Sequence, residues 1–199
     1  MGWQTLLVET PPDDPTVVTL AELKAHARID VDADDDMLTG LERAASNLVE
    51  RYTRRTLLLS TLVWTSDRFP YGAEPLYLRR PPMVAVASIE YTDSAGDVQA
   101  MAAEDYQVGL DGRLPFAKPT PGTSWPGTDR TVGAAKVTWT AGWATRAEVP
   151  QALKLAVKQL VSHWYENAEP MLVGQGLTSQ RLPFQVQALC NSWRVPEVR

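Results

Sequence analysis

The chain has 199 residues, 19 Lys and Arg against 24 Asp and Glu, a formal net charge of −5 and 44% hydrophobic residues. That length and apolar content allow a buried core without disulfides or metals, and the negative balance argues against a protein whose affinity comes from nucleic-acid phosphates. The single cysteine, Cys190, excludes an internal disulfide and argues against a thiolate zinc site, and no apolar run nears the roughly 20 residues that span a bilayer.

Residues 1–8 lack the charged and apolar regions of a secretory signal, so a chain made in a reducing cytoplasm is expected. Residues 1–18 read as an extended lead-in, because Pro11, Pro12 and Pro15 fix φ and remove backbone donors. Thr19, with Glu22 three positions on, forms a capping box and predicts a short helix over 20–28 with Leu20, Leu23 and Ala27 on one face. Asp30, Asp32, Asp34, Asp35 and Asp36 follow. One of them is expected to cap a second helix over 35–54, and the others favour its positive N-terminal end. Met37, Leu41, Ala44, Ala45, Leu48 and Tyr52 recur at helical period and are its expected buried stripe. Glu42, Arg43, Glu50, Arg51 and Arg54 fall on the other faces.

From 59 to 146 short β-rich pieces alternate with turn signals. Strands are expected over 61–67, 76–79, 84–92 and 98–101, with a hairpin turn at 93–97 around Gly96. Two further strands, 106–110 and 113–116, are expected to pair about Asp111-Gly112, with 118–129 a loop and 135–140 the last strand. Pro150 suits a helix start, and Leu153, Ala156, Val157, Leu160, Val161 and Trp164 form a continuous stripe over 150–166. Residues 168–199 read as an arm with one helical turn at 183–192.

Chemistry is sparse. An EF-hand loop begun at Asp30 would have Asp35 where the turn needs Gly and Leu41 where the metal needs Glu, so no metal site is expected. The segment reads instead as a solvent-facing or channel-facing acidic surface. His26 and His163 lie on separate helices without metal-ligand spacing, and Cys190 has no activating partner nearby in sequence. No GxSxG, Walker A or GxGxxG pattern is present, so neither a catalytic residue nor a cofactor is assigned. Trp64, Trp139 and Trp164 fit core faces; Trp125, in a Pro/Gly loop, and Trp193, in the arm, stand between local packing and an interface.

The order of pieces resembles the head–tail connector, or adaptor, proteins of tailed bacteriophages and of gene transfer agents. The resemblance spans about residues 17–195 and leaves the lead-in 1–16 uncovered. It is carried by Thr19-Leu20-Ala21-Glu22-Leu23-Lys24, the acidic stretch before Leu38, and Tyr52-Thr53-Arg54-Arg55. It continues through Leu76-Tyr77-Leu78-Arg79-Arg80-Pro81-Pro82, Val86-Ala87-Ser88-Ile89-Glu90-Tyr91, Trp125-Pro126, Val137-Thr138-Trp139-Thr140-Ala141-Gly142-Trp143 and His163-Trp164-Tyr165-Glu166.

The resemblance implies an α+β fold: a small helical bundle from both sequence ends (19–58 and 147–167), an inserted β-rich lobe (59–146) and an extended C-terminal arm (168–199). It implies a structural, non-enzymatic protein of a virion or phage-like particle assembled in the bacterial cytoplasm. Its partners would be the portal protein, neighbouring adaptor subunits in a ring of about twelve copies, and a stopper or tail-completion protein. DNA would pass through without specific binding, and no membrane is involved. The other readings are a different virion or tail-completion protein and a particle-associated hydrolase. The free subunit is expected to be monomeric or weakly associated, with the ring forming on the portal. Phe184, Leu189 and Trp193 are the expected anchors for portal or neighbour, and Trp125 is a candidate loop contact.

Overall fold

The computed structural model describes residues 4–10, 15–110, 114–129, 131–167 and 183–196. Strand β1 (Gln4–Thr10) precedes helices α1 (Leu20–Ala27) and α2 (Asp35–Thr53). Strands β2 (Ser60–Ser66), β3 (Leu76–Tyr77), β4 (Met83–Thr92), β5 (Val98–Ala100), β6 (Tyr106–Gly109), β7 (Phe116–Pro119) and β8 (Ala135–Ala141) follow. Helices α3 (Gln151–Glu166) and α4 (Phe184–Asn191) close the sequence. This is the expected α+β arrangement of terminal helices around a β-rich lobe.

The main sheet has five antiparallel strands in the order β1-β2-β8-β4-β5, and a second sheet runs β3-β7-β6. Strand β8 sits at the centre and alternates strictly, with Ala135, Val137, Trp139 and Ala141 buried on one face. Those residues pack with Leu62, Ile89 and Ala117 into the core of the lobe. A second core lies among the helices and includes Leu23, Leu38, Val49, Leu153, Val157 and Leu160.

Both cores meet at Gly142, where φ is 107° and the backbone runs against Leu58. Its amide donates to the Pro82 carbonyl at 2.8 Å, and the Leu59 amide donates to the Trp143 carbonyl at 3.0 Å. A side chain at 142 would overlap the Leu58 carbonyl, so only glycine fits this crossing.

The capping box at Thr19 forms as expected, with reciprocal bonds to Glu22. Three details differ from the sequence reading. The lead-in supplies a full edge strand, with Gln4 opposite Ser66 and Val8 opposite Leu62. It pairs along its length with β2, a partner more than fifty residues away that no local pattern records. Strand β7 lies three residues later than expected and reaches into the presumed loop, because the ring of Phe116 lies over Gly109, which has no Cβ to obstruct it. The turn at Asp111-Gly112 lies outside the described residues.

The third correction concerns α2. Its buried face is Leu38, Glu42, Ala45, Val49 and Thr53, while Met37 and Ala44 are exposed. Ala45 of the expected stripe is buried and Leu41, Leu48 and Tyr52 pack partly buried against the core, so the centre of the buried face is shifted from the expected one rather than opposite to it. That face brings in Glu42, assigned by its charge to the surface but fully buried. Its Oε1 accepts the amides of Val17 at 2.7 Å and Val18 at 3.0 Å and the Ser46 hydroxyl at 2.9 Å. A carboxylate with three donors can sit in a core where an unpaired one could not.

Candidate assembly surfaces

The acidic segment joins α1 to α2. Ile29 anchors it in the core, while Asp30, Asp32 and Asp36 are exposed. Lys24 bridges two of the aspartates, with Nζ 2.6 Å from Asp32 and 2.7 Å from Asp35. The Lys24 ammonium holds the Asp32 carboxyl below the usual carboxylate range, and the aspartates hold Lys24 above its own. Asp34 occupies the N-cap of α2 without making a side-chain cap bond. Its carboxylate instead accepts the Tyr165 hydroxyl at 2.7 Å, which pushes the phenol pKa up. The cap expected from sequence is therefore exchanged for a tie between α2 and α3. No group of three or more potential ligands gathers in metal-binding geometry among the described residues.

The expected partner anchors separate. Helix α4 packs on α3 and α2, burying Val186 and Cys190 completely. Leu189 and Trp193 are partly buried against the bundle. Trp193 meets Trp143 edge-on at 6.3 Å, and the Arg55 guanidinium lies 5.6 Å from its ring centre. Arg55 Nε also donates to the Trp193 carbonyl at 2.6 Å, and the Val195 amide donates to the Thr53 carbonyl at 2.9 Å. These two side chains thus serve the bundle, since an apolar residue beside an uncovered helix face is drawn onto it. Phe184, at the start of α4, is 84% exposed. Residues 168–182, the first part of the expected arm, lie outside the described residues.

Trp125 is packed locally. It stacks on Phe69 at 4.7 Å with the rings nearly parallel, and its indole N–H donates to the Glu74 carbonyl at 2.8 Å. Its exposure is 7%. An aromatic residue in a Pro/Gly loop is here the plug of the lobe.

One surface was missed by the sequence reading. A cavity of about 300 Å³ at the C-terminal end of α2 is lined by Arg51, Arg54, Arg79 and Arg80, with Glu50 on its wall and Leu6, Leu114 and Val195 among its apolar neighbours. Glu50 accepts the Leu57 amide at 2.6 Å and stands 3.9 Å from Arg80; burial nevertheless pushes its pKa up. The available signal was two basic pairs, Arg54-Arg55 and Arg79-Arg80, each at the end of an element. Their convergence depends on the bundle packing beside the lobe, which no local pattern records.

Comparison with known proteins gives a consistent picture. Residues 16–194 match the family model for the head completion protein. A chain of the virion of a native gene transfer agent particle superposes with a TM-score of 0.78 at 26% identity, covering 98% of this chain and 97% of that one. A chain from the neck of an empty gene transfer agent particle, computed with C6 symmetry, gives 0.76 at 25% identity, with the same coverage of 98% and 97%. A chain from the neck of the native particle, computed with C12 symmetry, shares the fold with a TM-score of 0.69 at 24% identity over 97% of each chain. No curated protein sequence matches.

Proposed function

The chain belongs to the head completion protein family, and on that premise we propose that it is the structural adaptor joining head to tail in a phage-like particle. The observation that carries this reading is the match of residues 16–194 to the family, supported by near end-to-end superposition on a chain of a gene transfer agent virion. Copies of the chain associate as a ring in the neck. The symmetric neck structures in which its relatives are found support that arrangement. We further propose that the ring holds about twelve copies, seats on the portal protein, and is followed by a stopper or tail-completion protein, with DNA passing through its centre. Assembly in the bacterial cytoplasm is part of the same proposal.

The titratable groups support a structural role. Glu42 and Glu50 spend their carboxylates on backbone amides. Burial pushes the Cys190 thiol up to about 11, which leaves little thiolate for nucleophilic chemistry at neutral pH. Phe184 is the anchor most available to a portal or neighbour, because its ring is uncommitted to the bundle.

Removal of the gene from a particle-producing strain tests the reading. DNA-filled heads without tails are expected, and a plasmid copy should restore tailed particles. Tailed particles at the parental level without the gene would overturn it.

A further inference from the structure

We propose that the arginine-lined cavity at the end of α2 receives the acidic α1–α2 segment of the next copy in the ring. This rests on the ring reading above and names the contact between neighbours.

Four guanidinium groups, Arg51, Arg54, Arg79 and Arg80, line the cavity, with the carboxylate of Glu50 on its wall. Glu50 already serves the Leu57 amide and faces Arg80. Arg51 and Arg79 are exposed and carry no ion pair among the described residues. Arg54 and Arg80 hold left-handed backbone, with φ of 57° and 68°, a conformation that disfavours any residue with a Cβ. Glycine would relieve both positions and remove the charges.

The acidic segment is the matching surface. Its five aspartates outnumber the single lysine that bridges two of them, and Asp30 and Asp36 point to solvent. Val31 and Met37 stand beside them 54% and 44% exposed. An acidic patch with two apolar side chains fits a basic rim around an apolar floor, the usual layering of a protein interface.

Position decides the rest. The segment runs into the first turn of α2 and the cavity lies at its last turns, so Asp36 and Arg51 stand 15 positions apart on that helix, about 22 Å. They cannot meet within one subunit. Two different complementary surfaces, here at opposite ends of α2, are what a head-to-tail ring requires, whereas a self-complementary surface would give pairs. Each ion pair is weak and screened by salt. Repetition around a closed ring adds them. Duplex DNA is the rival polyanion, but one pocket offers it a point contact and not a basic track along the backbone.

Charge exchange tests the contact in assembled particles. Arg51→Glu with Arg79→Glu, and separately Asp30→Arg with Asp36→Arg, should each lower the yield of tailed particles at least about tenfold, and the two sets combined should restore it to within about threefold. Asp36→Cys with Arg51→Cys, treated with a short bis-maleimide in purified necks, should give a ladder of multimers. Silent reversals, no rescue on combination, or no ladder would overturn the proposal. So would binding of a short DNA duplex by the wild-type protein that the arginine reversals abolish. If gene removal eliminates tails while the reversals are silent, this contact fails and the adaptor reading stands. If gene removal leaves tails intact, the adaptor reading itself fails.

Discussion

Glu42 accepts the amide of Val17 at 2.7 Å from a position with no exposed surface. The same oxygen takes the Val18 amide and the Ser46 hydroxyl, so one carboxylate fixes the chain where it enters the bundle. Its other oxygen is buried without a hydrogen-bond partner among the described residues. Glu42→Ala would strand two buried amides and should destabilise the protein by about 3 kcal/mol, while Glu42→Gln keeps a carbonyl acceptor and should cost about 1 kcal/mol. Urea unfolding measures both; equal losses would mean that the acceptor is not what matters.

The same carboxylate carries a pH signature. Burial pushes its pKa above the ordinary value of 4.5, with the hydrogen bonds and Arg146 opposing. The folded protein therefore binds this proton more tightly than the unfolded chain. The sign follows: stability from this group is greatest at low pH and falls as pH rises from about 4.5 through the folded pKa. Gln does not titrate, so wild-type stability relative to Glu42→Gln should decline with rising pH in that window. A rise would contradict the burial argument.

Trp125→Ala should destabilise the β lobe by about 3–5 kcal/mol through the cavity left over Phe69. Trp125→Phe preserves the stacking and loses one hydrogen bond, at about 1 kcal/mol. Near-ultraviolet circular dichroism during thermal unfolding separates the two. A harmless Ala variant would return Trp125 to the set of partner contacts.

Gly142→Ala and Gly96→Ala form a paired test. Both glycines have positive φ, 107° and 90°, but a Cβ at 96 meets open space while one at 142 meets the Leu58 carbonyl. The first should cost more than about 3 kcal/mol and the second about 1 kcal/mol, the strain alone. Comparable unfolding midpoints would show that the crossing between bundle and lobe yields easily.

Cys190 reports on α4. A fully buried thiol with pKa near 11 should react with a disulfide reagent far more slowly than a free cysteine, at a rate set by opening of α4. Val186→Ala loosens the same face and should speed labelling. Rapid labelling of the wild type would mean that α4 is not docked in solution.

Much of this protein was determined by local sequence. The capping box at Thr19, the α3 stripe, the turn at Gly96 and the alternation of β8 depend on residues near one another in the chain, and each forms where the pattern places it. The order of these pieces also carried the family. The tertiary structure alone decided what depends on distant partners. Glu42 reads as surface because its charge is visible in sequence and its donors, from Val17 and Val18, are not. Trp125 stands between local packing and an interface in sequence, and only Phe69, more than fifty residues away, decides for packing by stacking on it. The arginine cavity takes Arg51 and Arg54 from a helix end and Arg79 and Arg80 from the lobe. Periodicity records which face of an element is apolar; it holds no information on which two elements lie side by side, and that placement makes both the buried carboxylate and the basic surface.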